Sequence, residues 1–228
     1  RNETISTLDL ALSQLGKLSE PSDDAMLLLA RCRIEKSTIL RRWEPEQSKS
    51  LYESGIATLR QLSDKRPANS RIRSGLALGL STGVPRDRQL DEQQLLDFED
   101  RVSESIQHSQ QLVSEQPNAP QFQYLLQQVR HKHGTLLSRL GQNDQAEKRY
   151  RAARDELVSL ESLYADFPVF ALRRAFIEQS LARLLIESDQ DSEMKRAEAV
   201  QLLSTSHRTL SDLHSQSGDK SLRSRLDD

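Results

Sequence analysis

Five histidines, one cysteine and a scatter of serines and carboxylates are the residues of this chain that could do chemistry. His131 and His133 are the closest histidine pair. On a helix, positions two apart point about 200° from each other, so they cannot share a metal ion as an i, i+4 pair would. His133 falls on the apolar stripe of its helix, where it reads as a hydrogen-bonded core histidine. His207 and His214 have no cysteine or carboxylate completing a ligand set, and His207 stands at a repeat position filled elsewhere by Ile56, Ile106 and Leu157, so it too reads as structural. No metal site emerges. No serine lies in Gly-x-Ser-x-Gly, or in Ser-x-x-Lys beside a plausible base. Asp23-Asp24 and Asp227-Asp228 are adjacent carboxylates, not a pair facing across a cleft; the first pair suits an opening helical turn. Gly75 and Gly79 punctuate a helix, where they permit close packing, and form no phosphate loop. Cys32, the sole cysteine, excludes any intrachain disulfide or thiolate cluster, and its place after Leu27-Leu28-Leu29 predicts a buried, inert thiol. These residues make no catalytic set and call for no cofactor.

The composition narrows the fold. Eight glycines and seven prolines in 228 residues are too few for the turns of a sandwich, a barrel or a doubly wound sheet, and ten aromatics are too few for a ring-packed β core. Charged residues at 29% beside an apolar set of 36% suit amphipathic helices with one wet face. The longest apolar run, 25–30, is far short of the roughly 18 residues that span a membrane. The formal charge of −2 comes from interspersed signs, and Arg41-Arg42 and Arg173-Arg174 do not extend into a basic patch, which disfavours nucleic acid as a partner. A soluble chain is expected, cytoplasmic or cut from a membrane-anchored protein. With Arg1 at one end and helix-spaced Leu222 and Leu226 at the other, 1–228 reads as a single helical domain excised from something longer.

Periodicity supplies the organisation. Pro67, Pro117 and Pro168 lie about fifty residues apart, and Gly218 follows at the same interval. Five residues before each stand Leu62, Leu112, Leu163 and Leu213, predicted to be equivalent buried sites. Between the prolines, Phe122, Leu125, Leu126, Val129, His133, Leu136, Leu137 and Leu140 trace a single buried helical stripe that Gly141 ends. A second helix runs from Asp144 towards Phe167. Each repeat is thus a helical hairpin, A then B. Extended along the chain, the pattern predicts helices near 3–17, 22–43, 46–65, 69–82, 91–115, 119–140, 144–166, 169–188 and 192–215, a loop over 82–90 and a truncated helix at the end. A hairpin of this size cannot bury its stripe alone, so neighbours must stack.

The segment from Ala146 to Leu157, closing at Asp166-Phe167-Pro168, resembles the second helix of a tetratricopeptide repeat, and Ala119–Gly141 resembles the first. The period near 50 exceeds the family's 34, and the early tryptophan of the family signature is absent, so the pattern is TPR-like. The resemblance implies an all-α, right-handed α-α superhelix of four to five hairpins. Long-period arrays of this kind are similar to those attached to bacterial serine/threonine kinases and related signalling proteins, although no kinase motif lies in this chain.

In such stacks the A helices line a concave groove that holds a peptide or protein segment. With Phe122 at the stripe centre, Tyr124, Gln127 and His131 fall near 200°, 140° and 180° on the wheel, facing the groove. Fifty-one residues on from Gln127, Glu178 takes the same position. Tyr124, Gln127, His131 and Glu178 are therefore the candidate partner contacts of a non-catalytic scaffold. The alternative is that these positions only pack against the next A helix, and the chain is a structural spacer or a self-association module acting through exposed terminal repeats.

Overall fold

The computed structural model describes residues 2–82, 92–188 and 192–217, and among these it is wholly helical, with no strand. The helices are α1 (Asn2–Gly16), α2 (Asp23–Leu40), α3 (Pro45–Lys65), α4 (Ser70–Ser81), α5 (Glu92–Glu115), α6 (Pro120–Arg139), α7 (Asn143–Leu163), α8 (Val169–Ser188) and α9 (Glu193–Ser217). They coincide with the nine helices read from the apolar spacing to within about three residues at each end. The predicted loop after Thr82 and the helix start beyond Gly218 lie outside the described residues.

Two compact units share these helices, divided between residues 99 and 100 in α5 and between 125 and 126 in α6. In the first unit, α2, α3 and α4 bury Leu27, Ala30, Ile34, Ile56, Leu59, Leu62, Ile72, Leu76 and Leu80 in one cluster, with Met26 and Tyr52 against it. Small residues set how closely the helices approach. A Cβ at Gly55 would lie 2.7 Å from Ile34 Cγ1 and 3.0 Å from the Ala30 carbonyl oxygen, and one at Gly75 would lie 2.9 Å from Leu27 Cδ1. Cys32 is buried on α2, as its neighbours predict. Asn69 caps α4 by accepting from the amides of Arg71 and Ile72. The buried Arg73 pairs with Glu115 at 2.5 Å and donates to the Pro67 carbonyl.

The second unit packs α7, α8 and α9 around Leu157, Phe170, Ile177, Leu181 and Ala199, with Leu136 and Leu137 of α6 also buried. One contact occurs in both units. Ser105 Oγ donates to the Ala77 carbonyl at 2.5 Å in the first, and Ser206 Oγ to the Ala175 carbonyl at 3.0 Å in the second. Each serine is fully buried against the backbone of a neighbouring helix, close enough to donate to it directly. The link from α6 to α7 is as short as Gly141 predicts. That residue has φ +74°, its amide donates to Ser138 and that of Gln142 to Leu137, a Schellman closure that favours glycine.

The proline register fails at α7. The last-turn amides of Arg66, Gln116 and Tyr164 donate to the carbonyls of Leu62, Leu112 and Leu160, so these three leucines are the equivalent set. Leu160 is 7% exposed, whereas Leu163, which the proline spacing had placed in the core, is 70% exposed. The reason is local. Only Arg66 and Gln116 separate α3 and α5 from Pro67 and Pro117, but Tyr164, Ala165, Asp166 and Phe167 separate α7 from Pro168. Leu213 is only partly buried, and His207, also expected in the core, faces solvent while its neighbour Ser206 turns inward.

Candidate functional site

The four residues assigned to a groove do not form one exposed surface. Tyr124 belongs to the first unit and is partly buried. Gln127, His131 and Glu178 belong to the second. Gln127 is fully buried, and neither atom of its amide makes a hydrogen bond. His131 Nε2 lies 2.8 Å from Ser180 Oγ on α8, and its ring meets the edge of Tyr150 on α7 at 5.8 Å. Glu178 is 4% exposed. The wheel assumed one buried face per helix. A helix flanked by others on two sides is covered over a wider arc, and α6 meets both α7 and α8 through His131.

Burial shapes the chemistry of this region. It pushes His131 down to about 3, with the charges of Arg173 and Lys132 adding to the effect. It likewise pushes His133 down to about 4, with help from Arg149, although Glu99 Oε1 lies 3.8 Å from its Nε2. His133 is buried as predicted, but neither ring nitrogen makes a hydrogen bond. Tyr150, whose hydroxyl donates to Thr135 Oγ1 at 3.0 Å, is pushed up to about 12 by burial. Ser180 beside His131 has the composition of a nucleophile and base, but its hydroxyl is 3.1 Å from the Phe176 carbonyl and the pair lies outside the cleft described next.

Of the four residues, Glu178 alone reaches that cleft. A recess of about 320 Å³ opens between α7, α8 and α9, lined by Arg154, Asp155, Val158, Glu178, Glu198, Gln201, Leu202 and Thr205. Its charges are organised by arginines reaching between helices. Arg174 donates to Glu178 Oε1 at 2.7 Å, to Glu161 Oε1 at 2.6 Å and to Thr209. Burial would lower Arg174, but its hydrogen bonds to Glu161 and Glu178, with the charges of both, outweigh it and hold the guanidinium charged. Arg151 grips both oxygens of Glu198, at 2.5 and 2.9 Å, and also reaches Glu147. The Arg151 hydrogen bonds hold the Glu198 carboxyl below the usual carboxylate range. Arg154 pairs with Asp155.

Sequence reasoning found Glu178 and missed the others. The i, i+4 spacings of Glu147 with Arg151 and Arg174 with Glu178 are legible in the chain. The reach to Glu198 and Glu161 depends on how the helices pack. Among the described residues no group of three or more His, Cys, Asp and Glu could hold a metal ion, and no helix is long and apolar enough to cross a membrane. No protein-family model matches the chain, and no curated protein matches it at a significant level.

Proposed function

We propose that this chain is a TPR-like, right-handed α-α solenoid that works as a non-catalytic scaffold, binding a peptide or protein segment within a larger signalling protein. The observation that carries the reading is the cleft between α7, α8 and α9. It is an open recess walled by three helices, with charged, polar and apolar side chains within reach of a ligand. The recurrence of helix ends at Leu62, Leu112 and Leu160 supports a repeat of hairpins. The test is affinity capture from the source cell with the full chain as bait, followed by titration of each recovered protein. A partner that binds saturably, and loses binding when the cleft is altered, is expected. Recovered proteins whose binding is indifferent to every cleft substitution would remove the cleft from the reading.

A specific observation favours a second reading. Val200 and Leu203 of α9 are exposed and, three residues apart, share one side of the last described helix, an apolar pair that suits self-association. Light scattering across a concentration series separates the two. A dimer abolished by Val200→Glu and Leu203→Glu supports a self-assembly module, and a monomer at all concentrations removes it.

A further inference from the structure

The connector between α7 and α8 departs from its counterparts in composition as well as length. Past Leu62 the chain exposes Asp64, Lys65 and Arg66, and past Leu112 it exposes Ser114, Glu115 and Gln116. Past Leu160 it exposes Leu163, Ala165, Phe167, Pro168 and Val169, with Asp166 the one charge among them. The turn keeps these residues together, since the Tyr164 amide donates to Leu160 and the Phe167 amide to Tyr164. Phe167, 47% exposed, is braced. Its ring meets Tyr164 edge-on at 6.1 Å, and Tyr164 stacks at 5.6 Å on Phe170, which is fully buried. Three rings in series thus tie an exposed aromatic to the core. A side chain ordered before binding loses little entropy when a partner covers it, and aromatic anchors of this kind carry much of an interface's energy. Phe167, Leu163 and Val169 offer a polar group nothing to bond, so what covers them is apolar. Asp166 adjoins Phe167, with about 3.8 Å between their Cα atoms. It makes no ion pair among the described residues, whereas Glu161, the other acid here, is held by Arg174. The charge this tip offers is therefore negative, which favours a cation and opposes an anionic membrane surface.

We propose that the α7–α8 tip docks a partner protein segment that carries an aliphatic side chain beside a lysine or arginine, the aliphatic group covering the Phe167 ring and the cation meeting Asp166. The site lies outside the cleft, whose lining includes none of these residues, and it stands or falls independently of the cleft.

Random peptides displayed on phage are selected against the full chain, and enriched peptides are titrated calorimetrically against wild type, Phe167→Ala, Asp166→Lys and the cleft variant Val158→Arg. Enriched peptides are expected to share an aliphatic residue beside a lysine or arginine. Phe167→Ala should weaken their binding about thirtyfold, the loss typical of an interface anchor, and Asp166→Lys about tenfold, while Val158→Arg leaves it unchanged. Phe167 and Asp166 are both exposed, so the melting midpoint should hold. If Phe167→Ala lowers it, Asp166→Lys, at a side chain with no ion pair to lose, decides alone. Peptides that share no such pair of residues, or that bind wild type and both tip variants equally, overturn the proposal. Peptides sensitive only to Val158→Arg overturn it in favour of the cleft. It also falls if no peptide is enriched, or if vesicles of anionic phospholipid bind wild type and not Phe167→Ala, which would make the tip a membrane contact.

Discussion

Gly134 lies beneath the ring of Tyr150. A Cβ added at Gly134 would stand 2.6 Å from Tyr150 Cε1 and 2.8 Å from Cδ1, closer than side chains pack. The ring has little room to withdraw, because its hydroxyl bonds Thr135 on α6 and its flank meets His131. Gly134→Ala gains up to about 1 kcal/mol of helix propensity. Overpacking costs roughly 1–3 kcal/mol and should win. Urea denaturation should show a net loss of about 1 kcal/mol or more, whereas Gly16→Ala, with nothing within 4 Å, should be neutral or mildly stabilising. Equal effects at the two sites would show that the α6–α7 contact is looser than described.

Leu160 and Leu163 offer a paired test of helix register. Leu160→Ala removes a buried side chain and should cost about 2–5 kcal/mol. Leu163→Ala trims an exposed one and should stay within about 0.5 kcal/mol. The reverse ranking in chemical denaturation would restore the proline register and displace the end of α7.

Acid should destabilise the second unit earlier than its carboxylates would require. Folding holds His131 near 3 and His133 near 4, while both sit near 6.5 in the unfolded chain. Below pH 6.5 the unfolded state therefore binds more protons, and the contribution, complete above that pH, is lost as pH falls through 4 and on to 3. Each histidine steepens the decline by up to about 1.4 kcal/mol per pH unit. Urea midpoints measured from pH 7.5 to 4.5 should fall steeply for wild type. The curve should be flatter for the double variant His131→Gln, His133→Leu. A wild-type curve that stays level over that range would mean the imidazoles are solvated.

Arg73 and Glu115 differ in what their loss exposes. Glu115→Gln strands a buried guanidinium that retains only neutral acceptors such as the Pro67 carbonyl and the new amide. Because Glu115 is itself partly solvated, the cost should be moderate, about 1–2 kcal/mol. Arg73→Met keeps the stem in its packing and removes the charge, and should cost less. Thermal or urea unfolding decides the order, and a larger loss for Arg73→Met would show that the cation is stabilising through contacts beyond Glu115.

The helices were legible because their apolar residues recur at helical spacing and their ends carry local chemistry, as at Gly141. The core of α7 was misread by three residues because Pro168 marks the end of a connector, and Tyr164 to Phe167 add a turn that no periodicity announces. Glu178 could be found by its place in the repeat, but its burial and its ion pairs could not. Those depend on Arg174 and Glu161 meeting from different helices. Gln127 looked like a surface residue for the same reason: a polar side chain on the far side of one stripe is exposed only where no second neighbour covers it.

The enclosure of Cys32 makes α2 an internal clock. A thiol 8% exposed, and raised above its ordinary pKa by burial, reacts with a disulfide reagent only after its surroundings open. Since the chain has no second cysteine, the time course of modification belongs to that one position and carries no competing signal. Divided by the rate for an unstructured cysteine peptide, it converts directly into the population of molecules in which α2 has parted from its neighbours, without denaturant and at the temperature where the protein works.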